Sequence, residues 1–400
     1  MSSIPRYEDA LRAAGYNIIH LRHEDIAHDL FSDAHHDFPE PSIARVGEPL
    51  WAARDRHVDV ESALREVLGE FHFALTIKGR AAEMALVGAL MIDAPVVLTH
   101  GLFSSTMRAL ATRNARVETL PPAAARGTAD VDLGALAQRL GQGGVHLVYL
   151  EVANNGLCGW PLAEDNLAAT RRLCDAHGVQ LWLDATRLLA NCALSARDPW
   201  PAARRMLALS HAFTIAGSKE HLVPRGSLCA STDAALIGRA VMNVFQDGSG
   251  LESAADRASF AAGLRHVAAD ASTIVTRVAL VKELAALLVE RGVAVVQPAG
   301  AHAVFVEVPK ALLARFGPLA PPALLAQVFA TAGVRCQPVK WGEQLCLRFA
   351  LPTVRVQATA LPAMADAIAL ATKHLDEARA LRPLPGQAHV LPFDARFELA

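Results

Sequence analysis

Three short segments carry side chains that could do chemistry together. Asp184 follows the apolar run Leu181-Trp182-Leu183, with Arg187 just beyond it. Lys219 follows the apolar stretch Ala212–Ala216 and a Gly217-Ser218 turn. Gly79-Arg80 opens a helical pattern, where free backbone N–H groups and the helix dipole favour a phosphate. In an open α/β sheet, ligands bind at the carboxyl ends of the strands. An amine, a carboxylate and an anion site on one sheet edge are the parts that a pyridoxal phosphate enzyme requires. The lysine forms a Schiff base with the aldehyde, and the carboxylate keeps the pyridine nitrogen protonated so that the ring withdraws electrons from a substrate carbanion. Each residue also has a plainer reading. Asp184 could be a helix N-cap, Lys219 a solvated loop charge, Arg80 a surface residue, Phe103 a core side chain and Arg348 an ordinary ion-pair partner.

The elements needed to position these groups alternate along the middle of the chain. The patterns predict helices over 61–71, 80–91 and 166–177, the last ending at Gly178. They predict strands over 94–99, 146–151, 179–183, Ala212–Ala216 and Ser227–Ser231. Strands separated by helices imply parallel pairing with helices on both faces. Beyond Ala255 one long helix is expected over 259–291, then strands at 294–297, 303–308, 335–338 and 346–349, with helices at 322–332 and 361–377. The expected division is a large cofactor-binding domain over 46–255 and a smaller α+β domain built from 1–45 and 256–400. The C-terminal stretch 381–400 carries Val390, Leu391, Phe393 and Phe397, so it is expected to pack back on the body.

Composition narrows the function. The chain has 400 residues, which at roughly 100–200 residues per domain suits this two-part division. Hydrophobic residues are 52% and charged residues 20%, enough apolar surface for a core rather than disorder. Lys and Arg total 38 against 40 Asp and Glu, which removes the electrostatic case for nucleic acid. Mean hydropathy is +0.25, yet no apolar run reaches the roughly 18 residues of a membrane span. The excess is expected in the core and a buried subunit interface. The first residues lack a basic stretch followed by an apolar one, so no secretion signal is expected. Cys158, Cys174, Cys192, Cys229, Cys336 and Cys346 form no C-x-x-C pair, which suits free thiols in a reducing cytoplasm.

Motifs spread over nearly the whole chain resemble one family. They are Ile4-Pro5-Arg6 with Ala14-Gly15-Tyr16-Asn17, Gly79-Arg80-Ala81-Ala82-Glu83, Phe103-Ser104-Ser105-Thr106 and Leu183-Asp184-Ala185-Thr186-Arg187. Further on come Gly217-Ser218-Lys219-Glu220-His221-Leu222-Val223, Arg348-Phe349-Ala350-Leu351-Pro352 and Ala395-Arg396-Phe397. Together they resemble the tyrosine phenol-lyase and tryptophanase family of β-eliminating lyases. The resemblance implies an aspartate-aminotransferase-like α/β fold, fold type I of the pyridoxal phosphate enzymes. That fold has a mostly parallel seven-stranded sheet in its large domain.

It also implies roles. Lys219 would bind pyridoxal 5'-phosphate and move the α-proton, and Asp184 would pair with the pyridine nitrogen. Arg187 and Asn155 would bond the phenolic oxygen, Phe103 would stack on the ring, and Lys78, Gly79, Arg80 and Ser218 would hold the phosphate. Arg348 would clamp the substrate carboxylate in a fork, while Trp51, His36, Val339 and Phe393 would line the side-chain pocket. The implied reaction removes the α-proton of an L-amino acid and eliminates its β-substituent through an aminoacrylate. The implied assembly is a homodimer or homotetramer.

The departures point to the leaving-group end. Trp51 aligns with the family's general-acid Tyr, and an indole N–H cannot protonate a leaving group. Val339 aligns with the arginine that reads a phenol hydroxyl, and Pro49 and Pro224 align with the monovalent-cation site. A thiolate, which needs no acid, fits better than phenol or indole. His35 or His36 is a candidate replacement acid, since imidazole titrates near neutrality. Adjacent histidines cannot easily share one ion, so no metal site is expected there. Other outcomes on the same cofactor (β-substitution, aldol cleavage, transamination, racemisation) stay open, as does a non-catalytic family relic.

Overall fold

The computed structural model describes residues 4–33, 57–123, 126–341, 344–354, 356–386 and 395–400. A short strand, β1 (His28–Asp29), comes before the central sheet. The sheet comprises β2 (His72–Thr76), β3 (Val96–Thr99), β4 (Arg116–Thr119), β5 (Leu147–Glu151), β6 (Gln180–Asp184), β7 (Ala212–Ala216) and β8 (Ser227–Ser231). Its spatial order is β2-β8-β7-β6-β5-β3-β4. After it come β9 (Ala303–Glu307), β10 (Val334–Arg335), β11 (Gln337–Trp341), β12 (Gln344–Ala350), β13 (Leu381–Pro383) and β14 (Phe397–Leu399).

The middle strands are near-continuous apolar runs because both faces are covered. Leu150, Leu183 and Phe213 pack into one layer with Leu64 and Phe260. Tyr149, Trp182 and Ala212, one residue earlier in each strand, pack into the opposite layer with Leu86 and Leu236. A further cluster joins Leu11 and Leu30 to Leu284, Phe329, Phe349 and Leu381. Strand β1 pairs with β10 there, and β14 returns to β13, so the C-terminal apolar residues Phe397 and Leu399 do pack back.

Several elements differ from the sequence reading. Strand β8 runs antiparallel to β7 and β2, whereas the remaining sheet pairs are parallel. Between β7 and β8 stands only the one-turn helix Gly217–Glu220, and a parallel return needs a longer crossover. Strands β2 and β4 were not anticipated: β2 begins directly after the helix expected over 61–71, and that helix is His57–Leu68. Two helices, Leu188–Ala193 and Trp200–Ala208, separate Asp184 from β7. The expected long helix splits at Asp270 into Ala254–Ala269 and Ser272–Glu290, and the Asp270 carboxylate accepts from Ser272 N. The strand expected at 294–297 contributes one bridge, Val295 to Val306. One helical run, Lys310–Ala332, has the length and composition to cross a membrane. It is broken by a turn at Gly317–Leu319 and buries Leu324, Val328 and Phe329 in the core.

Close backbone approach fixes the loop after Lys219. A Cβ added to Gly263, on Ala254–Ala269, would lie 2.1 Å from the His221 carbonyl oxygen. Gly238, on the helix Ala234–Gln246, has nothing within 4 Å of the same position. Gly263→Ala is therefore expected to destabilise the protein by about 2 kcal/mol or more. Gly238→Ala is expected to stabilise it by about 0.5–1 kcal/mol through helix propensity. Urea midpoints check both, and equal midpoints for the two variants would contradict this packing.

Candidate active site

The parallel strands β5, β6 and β7 end on one edge, and their register sets Glu151 beside Asp184 and Asp184 beside Thr214. Asp184 is buried, and its Oδ1 accepts from Thr186 N at 3.0 Å. Burial raises its pKa, while Thr186 and the charges of Arg187 and Lys219 oppose that rise. Glu83, on the helix Gly79–Gly88, is buried close enough to feel the same charge. Burial and Asp184 push Glu83 up to about 7 and Glu151 up to about 8. Clustered buried carboxyls cannot all ionise, so at neutral pH protons collect on Glu151 and in part on Glu83. His100, at the end of β3, donates from Nε2 to the Glu151 carbonyl at 3.1 Å, and burial holds its pKa down to about 4.

The amine side of the site is tied by a single carboxylate. Asp33, fully buried, accepts from Arg187 Nε at 2.6 Å and from Arg187 Nη2 at 3.2 Å. It also accepts from Arg348 Nη2 at 2.8 Å and from Lys219 Nζ at 3.2 Å. Burial opposes charge on Asp33, but Arg187, Lys219 and Arg348 outweigh it and hold its carboxyl well below the usual range. Lys219 Nζ also donates to Ser32 Oγ at 3.2 Å. Arg348, on β12, donates to Gln337 Oε1 at 2.7 Å, and burial lowers its pKa to about 10. Glu220, next to Lys219, accepts from Leu189 N and Ala190 N at 2.8 and 2.9 Å, fixing the helix that follows Arg187.

The structure brings Lys219, Asp184, Arg187, Arg348 and Asn155 together. Asn155 is buried after β5, and its Oδ1 lies 2.9 Å from His302 Nε2. Gly79 starts its helix with Lys78 as N-cap, and its missing Cβ would stand 2.8 Å from Ala216 Cβ, next to the Lys219 turn. Lys78 and Arg80 are exposed there, and Ser218 is half-buried. Phe103 caps Ser104–Ala111 and is 42% exposed, so it is no core side chain within this chain. Val339, on β11 opposite Cys346, packs beside Leu157 and Phe305. Trp51, His36 and Phe393 lie outside the described residues, as do His35 and Pro49. Sequence reasoning missed Asp33, Glu151, His100, His302 and Glu220 as site residues. Asp33 stands just before His35 and His36, which alone carry acid or metal readings in that segment, and Glu83 stands inside a quoted motif without a role.

This donor set fits pyridoxal phosphate. A half-buried amine, a buried carboxyl on the neighbouring strand end and a helix N-terminus beside the lysine turn match its aldehyde, ring nitrogen and phosphate. Arg348 Nε and Glu151 Oε2 are buried without hydrogen-bond partners among the described residues, so the site also holds unspent polar capacity.

Comparison with known proteins agrees. The chain is 31% identical over 337 residues to a probable tryptophanase of Aeropyrum pernix, covering 77% of this chain and 72% of that protein. It is 29% identical over 363 residues to a tyrosine phenol-lyase of Intrasporangium calvum, covering 84% and 76%. Among solved structures, Leishmania major threonine aldolase superposes with a TM-score of 0.66 at 13% identity, over 85% of this chain and 98% of that one. Sphingomonas wittichii serine palmitoyltransferase superposes with a TM-score of 0.66 at 15% identity, over 88% of each chain. These two share the fold. The family model described as Beta-eliminating lyase matches residues 42–311, so the chain belongs to the Beta-eliminating lyase family and is a lyase that depends on pyridoxal phosphate.

Proposed function

We propose that this lyase acts on an L-amino acid, removes the α-proton and eliminates the β-substituent, and that the substituent leaves as a thiolate. The observation that carries this reading is the single cluster formed by Lys219, Asp184, Arg187 and Arg348. Its parts would serve one amino acid at once. Bound to the lysine, pyridoxal phosphate supplies an electron-withdrawing ring that stabilises negative charge on the substrate α-carbon.

The chain's own residues do the rest. Lys219 Nζ takes the α-proton. Asp184 holds the proton of the ring nitrogen, while Arg187 and Asn155 donate toward the phenolic oxygen. Phe103 covers one ring face, and Lys78, Gly79, Arg80 and Ser218 bind the phosphate. Arg348 grips the substrate carboxylate, for which a planar guanidinium is suited. Val339 would line the side-chain pocket, and Trp51 at the family's general-acid position in the sequence favours a leaving group stable as an anion.

We further propose that the enzyme is cytoplasmic, and that it divides at about residue 255 into a large domain (46–255) and a small one that includes residues 1–45. A homo-oligomer, dimer or tetramer, is supported by exposed apolar side chains: Met84 on Gly79–Gly88 and Val241, Met242 and Phe245 on Ala234–Gln246, two helices tied by Asn243 Nδ2, which donates to the Ala85 carbonyl at 3.1 Å.

Purified holoenzyme incubated with S-alkyl cysteines should release pyruvate and ammonia faster than with L-tyrosine or L-tryptophan, and Lys219→Ala should abolish release. Tyrosine or tryptophan as the better substrate would overturn the thiolate assignment, and no pyruvate from any of them would overturn elimination.

The amine also predicts a pH dependence. Burial lowers the Lys219 pKa to about 8; Asp33 opposes this shift, and Arg187 and Arg348 add to it. The neutral amine attacks aldehydes, so the rate at which cofactor-free protein takes up pyridoxal phosphate should rise with pH through a midpoint near 8. Asp33→Asn removes the charge that raises this pKa, so the midpoint should move down. Stopped-flow absorbance between pH 6 and 10 checks it, on an axis of roughly two pH units either side of the midpoint. An upward shift would contradict the placement of Asp33.

A further inference from the structure

Lys219 is held by its backbone as well as by its amine. Thr353, just beyond β12, has its Oγ1 3.0 Å from the Lys219 carbonyl oxygen and 3.1 Å from the Asp33 carbonyl oxygen. The same oxygen accepts from Arg277 Nη1 at 2.9 Å. Arg277 is buried on the helix Ser272–Glu290, and its Nη2 donates to Glu220 Oε1 at 3.1 Å. Glu220 in turn anchors the first turn of Leu188–Ala193, directly after Arg187. None of these contacts belongs to the machinery assigned above, yet they surround its lysine.

The donor inventory fixes the direction of each bond. A guanidinium only donates, so Arg277 occupies a lone pair of the Thr353 hydroxyl. The hydroxyl proton must then point to one of the two carbonyls, Lys219 or Asp33. Thr353 Oγ1 therefore stands within reach of both carbonyls and donates to one at a time, while Arg348 Nη2 and Lys219 Nζ both donate to the Asp33 side chain. The segment that carries the carboxylate clamp thus also carries the hydroxyl that braces the lysine.

We propose that Thr353 is a positioning residue whose hydroxyl, oriented by Arg277, sets the backbone of Lys219 and links the Arg348 clamp to the aim of the amine. This rests on the reading of Lys219 as the group that moves the α-proton. Proton transfer tolerates little misplacement, so loss of the brace should slow the transfer without weakening substrate capture. The pair Thr353→Ser and Thr353→Ala isolates the hydroxyl, and Thr353→Val keeps the side-chain shape without it.

The test uses exchange of the α-hydrogen of L-alanine in D2O by the holoenzyme, followed by NMR. Alanine has no leaving group, so the readout does not depend on elimination. Its Cα–H bond breaks, the proton passes to Lys219 Nζ, solvent deuterium replaces it there, and a deuteron returns to Cα. With Thr353→Ala and Thr353→Val, the maximal exchange rate should fall about 3- to 10-fold, as expected for one lost hydrogen bond, while half-saturation stays put. Thr353→Ser should restore it. Retention of pyridoxal phosphate on gel filtration should be alike in the three variants, whereas the thermal midpoint should be lower in the Ala and Val proteins, which leave Arg277 Nη1 without this acceptor. Equal exchange by the Ser, Ala and Val proteins, or a defect confined to half-saturation or to thermal midpoint, overturns the proposal. Absence of exchange by the parent enzyme instead sinks the underlying reading of Lys219.

Discussion

A single buried carboxylate makes the rest of the site possible. Two guanidiniums and an amine stand within hydrogen-bond reach of Asp33, and all three carry positive charge unless something neutralises them. Removing one partner of a buried ionic cluster costs about 3–5 kcal/mol, because the remaining charges are left uncompensated. Asp33 therefore does more than join side chains. It closes the N-terminal segment onto the end of the central sheet and onto β12, three regions distant in sequence. Its neighbour Ser32 shares the amine, so the segment contributes polar groups as well as charge.

Facing this cationic group is an acidic one. The parallel edge gathers Glu151 and Asp184, and the helix Gly79–Gly88 brings Glu83 to them. The two groups oppose each other across the position of Arg187, whose Nη1 lies 3.7 Å from Glu151 Oε1. Such separation of charge in a buried site is what a cofactor with a cationic ring nitrogen at one end and reactive carbonyl chemistry at the other would use. Strand register places Glu151 and Asp184, while Asp33, Arg187 and Lys219 stand just beyond strand ends and are held by their mutual bonds.

How much of this was legible in the sequence follows from the range of each interaction. Asp184 and Lys219 announce themselves locally by an apolar strand followed by a turn, and Gly79 by a helix start. The family resemblance added Asn155 and, through its motifs, the roles of Arg187 and Arg348. Asp33, Arg277 and Thr353 gave no local sign, since their partners lie far along the chain and a lone Asp or Thr in a mixed segment reads as a turn residue. Strand β4 was missed because it is an edge strand with partly exposed residues and no alternation. Strand β2 was missed because only Gly69, Glu70 and Phe71 stand between its first residue and an amphipathic helix. The reversal of β8 is legible in the short span 217–226 between the two expected strands, too short for a parallel crossover, although the strand–helix alternation elsewhere suggested parallel pairing.

The whole account rests on the amine of Lys219 being the group that captures the cofactor's aldehyde. Reduction of the holoenzyme with borohydride, followed by peptide mapping by mass spectrometry, tests that most directly. The account predicts a pyridoxyl group on the peptide bearing Lys219 and on no other lysine in stoichiometric yield. A modified lysine elsewhere, such as Lys78, with Lys219 recovered intact, would contradict it.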